Sequence, residues 1–89
     1  MTDKELLEYA AKAASTSADG TMFNGWNPLE NDGDALRLAV WLNFNIKIFE
    51  DVAVVDDVFG SGWSEIFCGD PYAATRRAIT SAAAEIGKE

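Results

Sequence analysis

The stretch Phe44-Asn45-Ile46-Lys47-Ile48-Phe49-Glu50-Asp51-Val52-Ala53-Val54-Val55 decides the fold. Phe44, Ile46 and Ile48 alternate with Asn45, Lys47 and Phe49, a period of two that places one apolar row on one face of a strand. Glu50-Asp51 suits a tight turn, and Val52-Ala53-Val54-Val55 is β-branched enough to return as the second strand. Asp56-Asp57 ends that strand, Gly60-Ser61-Gly62 supplies a flexible turn, and residues 63–68 can form a third antiparallel strand. The three strands predict a meander.

Helices flank this block on both sides. Residues 2–14 open with Thr2 and Glu5 in the spacing of a capping box, followed by a stripe of Leu6, Leu7, Ala10, Ala11 and Ala14 opposite Lys4, Glu8 and Lys12. Residues 15–25 are small, polar and Gly-bearing, a connection with room for a short strand at 21–23. Asn27-Pro28-Leu29-Glu30 has the grammar of a helical turn, and Asp32-Gly33-Asp34 begins a helix that carries one charge, Arg37, from Ala35 to Leu42. A helix apolar on nearly every side is expected to be the central buried one, with Trp41 in the core. Gly69-Asp70-Pro71 starts the last helix, whose inward face reads Tyr72, Thr75, Ile79, Ala82, Ala83 and Ile86, with Gly87 placed for a left-handed end. The expected fold is α+β, in the order α-(β)-α-β-β-β-α, with an antiparallel three- to four-stranded meander covered by helices.

The chain of 89 residues carries 15 acids, 7 bases and no His, for a formal charge of −8. A chain of this length buries roughly 60–65% of its unfolded surface, which suits one domain over residues 1–89 and not two. The deficit of Lys and Arg argues against direct contact with nucleic acid or an anionic membrane, because affinity for polyanions comes from bases that displace counterions. Without His, nucleophile systems of the Ser-His and Cys-His kinds cannot be built. Cys68, the single thiol, allows no internal disulfide and is expected as a small apolar filler. The opening residues carry charges of both signs and no apolar run is long enough to span a bilayer, so neither export nor membrane insertion is expected.

Trp26-Asn27-Pro28-Leu29 running into Asp32-Gly33-Asp34-Ala35-Leu36-Arg37-Leu38-Ala39-Val40 forms one distinctive stretch. Gly69-Asp70-Pro71 continuing through Ala74-Thr75-Arg76-Arg77-Ala78-Ile79 to Ala84-Glu85-Ile86-Gly87 forms another. With the opening Thr2-Asp3-Lys4-Glu5-Leu6-Leu7, they resemble small bacteriophage and prophage proteins with a phage α-β-α sandwich domain. The resemblance covers most of the chain and is weakest over residues 15–25. It implies a fold and a phage origin, an accessory protein in the cytoplasm of the bacterial host, and no catalytic residues.

The chemistry-bearing groups have competing explanations. Asp32 with Asp34, or Asp51 with Asp56 and Asp57, could offer oxygen ligands to a divalent cation, but neither set has the spacing of an EF-hand loop, and acids in a first helical turn are favoured by capping and the helix dipole. No metal site, cofactor or enzymatic activity is expected. Arg76-Arg77 is the only adjacent basic pair, and Arg76 is expected to lay its stem over the sheet edge while its guanidinium meets a carboxylate. Residues 48–75 contain six acids and no base. If their turns gather at one end or edge of the sheet, Glu50, Asp51, Asp56, Asp57 and Glu65, with Trp63 as a partly exposed anchor, form a surface for a host or phage protein with a basic face. The leading expectation is an inhibitor or modulator acting through that surface, including against a host defence. The alternatives are a DNA mimic, and a structural or assembly protein that dimerises through the third strand's edge.

Overall fold

A computed structural model describes residues 2–14, 27–57, 62–66 and 69–88. Their order is α1 (Asp3–Ala14), α2 (Asp32–Trp41), β1 (Asn45–Ile48), β2 (Val52–Asp56), β3 (Gly62–Ile66) and α3 (Pro71–Lys88). The fold is α+β, with a three-stranded antiparallel sheet in the order β1-β2-β3. The expected strand at 21–23, Trp26, and the far end of the third strand at Phe67 and Cys68 lie outside the described residues.

Local chemistry sets the helix ends. Thr2 donates from its amide and its hydroxyl to Glu5 Oε1, each at 3.1 Å, while the Glu5 amide donates to Thr2 Oγ1 at 3.2 Å, the reciprocal bonds of a capping box. Asn27 holds the turn that follows it, accepting from the Leu29 amide at 3.1 Å. The cap of α2 is Asn31, one residue before the expected start, and it accepts from the Asp34 amide at 2.9 Å. Asp34 in turn accepts from the Asn27 amide at 2.9 Å, tying the turn to the helix. Asp70 caps α3 by accepting from the Tyr72 amide at 2.9 Å.

The end of α2 also directs the chain into the sheet. Asn43 is left-handed at φ 57°, the Asn43 amide donates to the Val40 carbonyl, and the Phe44 amide reaches back to the Ala39 carbonyl at 2.9 Å. This pair of bonds is a Schellman closure with Asn in the position usually held by Gly. The expected tight turn at Glu50-Asp51 is present, closed by the Phe49 amide on the Val52 carbonyl at 2.9 Å.

In the register, Ile46 pairs with Val55 and Ile48 with Ala53, while Val55 pairs with Trp63 and Ala53 with Glu65. These residues share the face turned toward the helices, because side chains alternate along each strand. Ala53 and Val55 on that face are fully buried.

The central helix is α3, not α2. From Ala78 to Ala84 every residue of α3 is buried, and the helix packs against α1, α2, β2 and β3. Small side chains allow this, because they let a second helix and the sheet approach from different sides. On α1, Leu6, Ala10 and Ala13 are buried and Leu7 and Ala11 half-buried. On α2 the buried residues are Ala35, Leu38 and Ala39, whereas Leu36, Val40 and Trp41 are exposed, so Trp41 is not a core residue. Tyr72 and Ile86, expected on the inward face of α3, are exposed as well. Gly87 lies within α3 and does not end it in a left-handed cap, since the only described glycine with positive φ is Gly69 at 94°. A Cβ at Gly87 would overlap the Tyr9 carbonyl of α1 and lie 3.0 Å from the Ala13 amide. Hydrogen is the only side chain that fits this crossing.

Replacing Gly87 by Ala should therefore separate the two helices and cost about 1–3 kcal/mol in urea unfolding. Gly69→Ala has nothing within 4 Å and should carry only the smaller penalty of its positive φ. The reverse order would contradict the close crossing.

At the start of α1, the backbone hydrogen bond from Thr2 and then the hydroxyl one hold the Glu5 carboxyl below its ordinary value. A depressed carboxylate contributes to folding above its ordinary pKa and loses that contribution as pH falls through the depressed value. The ¹³Cα shifts of the first turn of α1 should relax toward coil over that acid range, and Glu5→Gln should remove the pH dependence.

Candidate partner-binding surface

The six residues expected to form one acidic and aromatic surface lie in three places. Glu50 and Asp51 are exposed at the β1–β2 turn. Asp56 and Asp57 lie at the other end of β2, about 17 Å away by the rise of a five-residue strand. Asp56 occupies the face turned away from the helices, where it pairs with Lys47 at 3.6 Å. Trp63 and Glu65 are on the opposite face, toward α3. The expectation of a single acidic end fails for a geometric reason, since successive turns of a meander fall at opposite ends of the sheet and successive residues point to opposite faces.

Trp63 and Glu65 are engaged inside the fold. Trp63 packs half-buried against the core, and its indole Nε1 donates to Glu65 Oε1 at 3.4 Å. The same carboxylate oxygen lies 3.6 Å from Arg77 Nε, and Arg77 Nη1 donates to Asp3 Oδ1 at 2.9 Å. Arg77 thus joins β3 to the start of α1. Arg76 plays the corresponding part on the α2 side, where its guanidinium meets a carboxylate as expected. Its Nε donates to the Leu29 carbonyl at 3.0 Å and its Nη1 to Asp32 Oδ1 at 2.6 Å, while its side chain is only 17% exposed. The basic pair is a double clamp between helix and neighbours, with both guanidinium groups already matched to carboxylates.

The structure brings together a different set of side chains. Leu36 is 59% exposed on α2, Ile48 58% at the end of β1, and Tyr72 70% in the first turn of α3. These three line one concavity of 380 Å³, with Ala35, Ile46 and Ile79 among its other residues and the Arg76–Asp32 pair at its side. Two more hollows continue it along α2, both touching Leu36 and Val40, one with Arg37 and Trp41 and one with Asn43 and Phe44. Phe49 is also exposed where β1 meets the acidic turn.

Sequence reasoning missed this surface because it assigned the second apolar face of α2 to the core. The available signal was the doubled apolar pattern of α2, in which Ala35, Leu38 and Ala39 make one stripe and Leu36, Val40 and Trp41 another. A helix at the edge of a layer can cover only one of them.

The charged side chains that line the groove are one acid, Asp32, and one base, Arg76. Among the described residues, Glu50, Asp51 and Asp70 have no ion-pair partner, and they adjoin Ile48, Phe49 and Tyr72 in the chain. Asp32 is matched by Arg76. Also among the described residues, no group of three His, Cys, Asp or Glu side chains is placed to hold a metal ion. No described helix is long and apolar enough to cross a membrane.

The two kinds of acid should respond differently to reversal. Glu65→Lys sets a second cation beside Arg77 and should cost about 1–3 kcal/mol in thermal or urea unfolding. Glu50→Lys, in open solvent at the turn, should stay within about 0.5 kcal/mol of the parent. Equal effects would show that Glu65 is not held by Arg77.

No protein-family model matches the chain, and no curated protein sequence or solved structure matches it either.

Proposed function

We propose that the chain is a non-enzymatic, phage-encoded accessory protein that acts in the bacterial host cytoplasm by binding a host or phage protein with a basic surface and modulating or inhibiting it. One observation carries the binding part of this reading. Among the described residues, Glu50 and Asp51 have no ion-pair partner, and they stand at an exposed turn immediately beside the exposed side chains of Ile48 and Phe49. Carboxylates next to apolar side chains favour a partner that carries the opposite charge around an apolar contact, since charge complementarity guides encounter and apolar burial sustains the complex. The phage setting, and with it inhibition of a host protein or defence, is supported by the motif resemblance around residues 26–40 and 69–87.

Asp56, Asp57, Trp63 and Glu65 are not part of the proposed surface, because they lie at the far end of the sheet or are engaged on its helix-facing side. Affinity capture from host lysate, with the parent and with a Glu50→Lys, Asp51→Lys double variant, tests the reading. A partner should be captured by the parent, weakened as salt rises, and lost on reversal of the turn. Capture that ignores both salt and charge reversal would overturn it.

A further inference from the structure

The apolar groove beside the acidic turn is built from three elements that are distant in sequence. Its walls are Leu36 of α2, Ile48 at the end of β1 and Tyr72 in the first turn of α3, each more than half exposed. Beneath them, Ala35 and Ile79 are buried and belong to the core, so the floor is a rigid part of the fold. Its 380 Å³ falls in the lower part of the range for pockets that accept ligands or anchoring side chains, about 300–1,000 Å³. Exposed apolar residues that continue along α2 through Val40 and Trp41 extend the same surface.

Charge distinguishes among the occupants that could cover it. Of the charged groups on the groove side of the molecule, Asp32 and Arg76 neutralise each other, and Arg37, beside the hollow that continues along α2, lies 3.9 Å from Asp34. Next to its walls in the chain, Glu50 and Asp51 follow Ile48 and Asp70 precedes Tyr72, all three exposed. A second copy of the chain, related by a twofold axis, would bring these acids against their own copies and join two molecules of net charge −8. A segment with cations around its apolar contacts meets no such repulsion.

We propose that the groove between α2, the end of β1 and the first turn of α3 is the docking site for a protein segment that carries apolar anchors flanked by Lys or Arg. This rests on the reading of the chain as a binder of basic partners and adds where the partner sits and what it must carry besides charge. Apolar anchors enter beside Leu36, Ile48 and Tyr72, and the flanking cations meet Glu50, Asp51 and Asp70. Burial in the groove supplies the lasting part of the affinity, and the acids next to its walls supply orientation and speed of encounter.

The test uses three synthetic peptides against the ¹⁵N-labelled chain, followed by NMR: an amphipathic Leu–Lys peptide, a Ser–Lys peptide of equal charge, and a Leu–Glu peptide of the same apolar pattern. The Leu–Lys peptide should bind and shift the amides of Leu36, Ile48 and Tyr72 together with those of Glu50, Asp51 and Asp70. The Ser–Lys peptide should bind at least about tenfold more weakly, and the Leu–Glu peptide should leave the spectrum unchanged. Leu36→Glu removes an apolar wall while adding a negative charge, and should weaken the Leu–Lys complex about tenfold. Tyr72→Ser, at the most exposed wall, provides the same measurement if Leu36→Glu melts early.

Leu–Lys binding that holds or tightens in both variants, or shifts confined to the Asp56 end of the sheet, would overturn the groove as the site while leaving a basic partner in place. Failure of both cationic peptides to bind would count against the binding function itself. Sedimentation as a dimer, with the groove amides shifting on dilution, would replace the basic segment by a second copy.

Discussion

Burial of α3 on all sides between Ala78 and Ala84 is the constraint on which the other elements depend. One helix can serve as the middle layer only if its neighbours approach closely on more than one side, and the residues there are Ala, Ser, Thr and a single Ile. Thr80 satisfies its hydroxyl within the helix by donating to the Arg76 carbonyl at 2.8 Å. Its burial therefore leaves no unmatched donor. At the end of the same helix, Gly87 lets the α1 backbone come into contact at Tyr9. Arg77 meets Asp3 near the start of α1, and Gly87 meets Tyr9 further along it, so α1 and α3 run parallel. The two arginines at the middle of α3 then hold what packing alone leaves open. Arg77 links α1 and β3, and Arg76 links the turn before α2 to the start of α2.

Because α3 occupies the middle, α2 is left at the side with one apolar stripe covered and one open. The exposed stripe of Leu36, Val40 and Trp41 is a consequence of this arrangement. It coincides with the end of β1, where the turn to β2 carries two acids, and with the first turn of α3, where Asp70 is held at the surface by its capping role. An apolar groove, with exposed acids next to its walls in the chain, thus arises where the three elements meet. Several carboxylates elsewhere are engaged, since Asp3 and Glu65 share Arg77, Asp34 accepts from the Asn27 amide and Asp56 faces Lys47, while Glu8, Glu30 and Glu85 are exposed on the helices and the turn before α2.

Much of the local structure was legible in the residues. The Thr2–Glu5 capping box, the Asn27 turn, the Asp70-Pro71 helix start and the Glu50-Asp51 hairpin each rest on contacts spanning a few residues, and each appears where the pattern places it. The shift of the α2 cap to Asn31 is of the same local kind, a choice among adjacent polar residues able to accept the same backbone donors. The left-handed Asn43 had a readable signal too, an Asn directly after the last apolar residue of a helix, although strand alternation drew attention to the residues after it. The candidate surface was far less legible. Its walls lie at positions 36, 48 and 72, and no short-range pattern relates them.

By itself the sequence determined the α+β class, the three-stranded meander, the helix starts and the excess of acid, because capping, alternation and net charge are properties of neighbours or of composition. The tertiary structure alone decided which helix lies in the middle, that Trp63 and Glu65 face inward while Trp41 and Tyr72 face solvent, and that Gly87 serves a helix crossing. Apolar count favoured α2 for the centre, but close packing favours the helix with the smallest side chains, and that preference acts only when several layers compete for the same space. The distribution of charge follows the same division. The number of acids was plain from the chain, whereas their separation to opposite ends of the sheet came from the alternation of turns in an antiparallel meander.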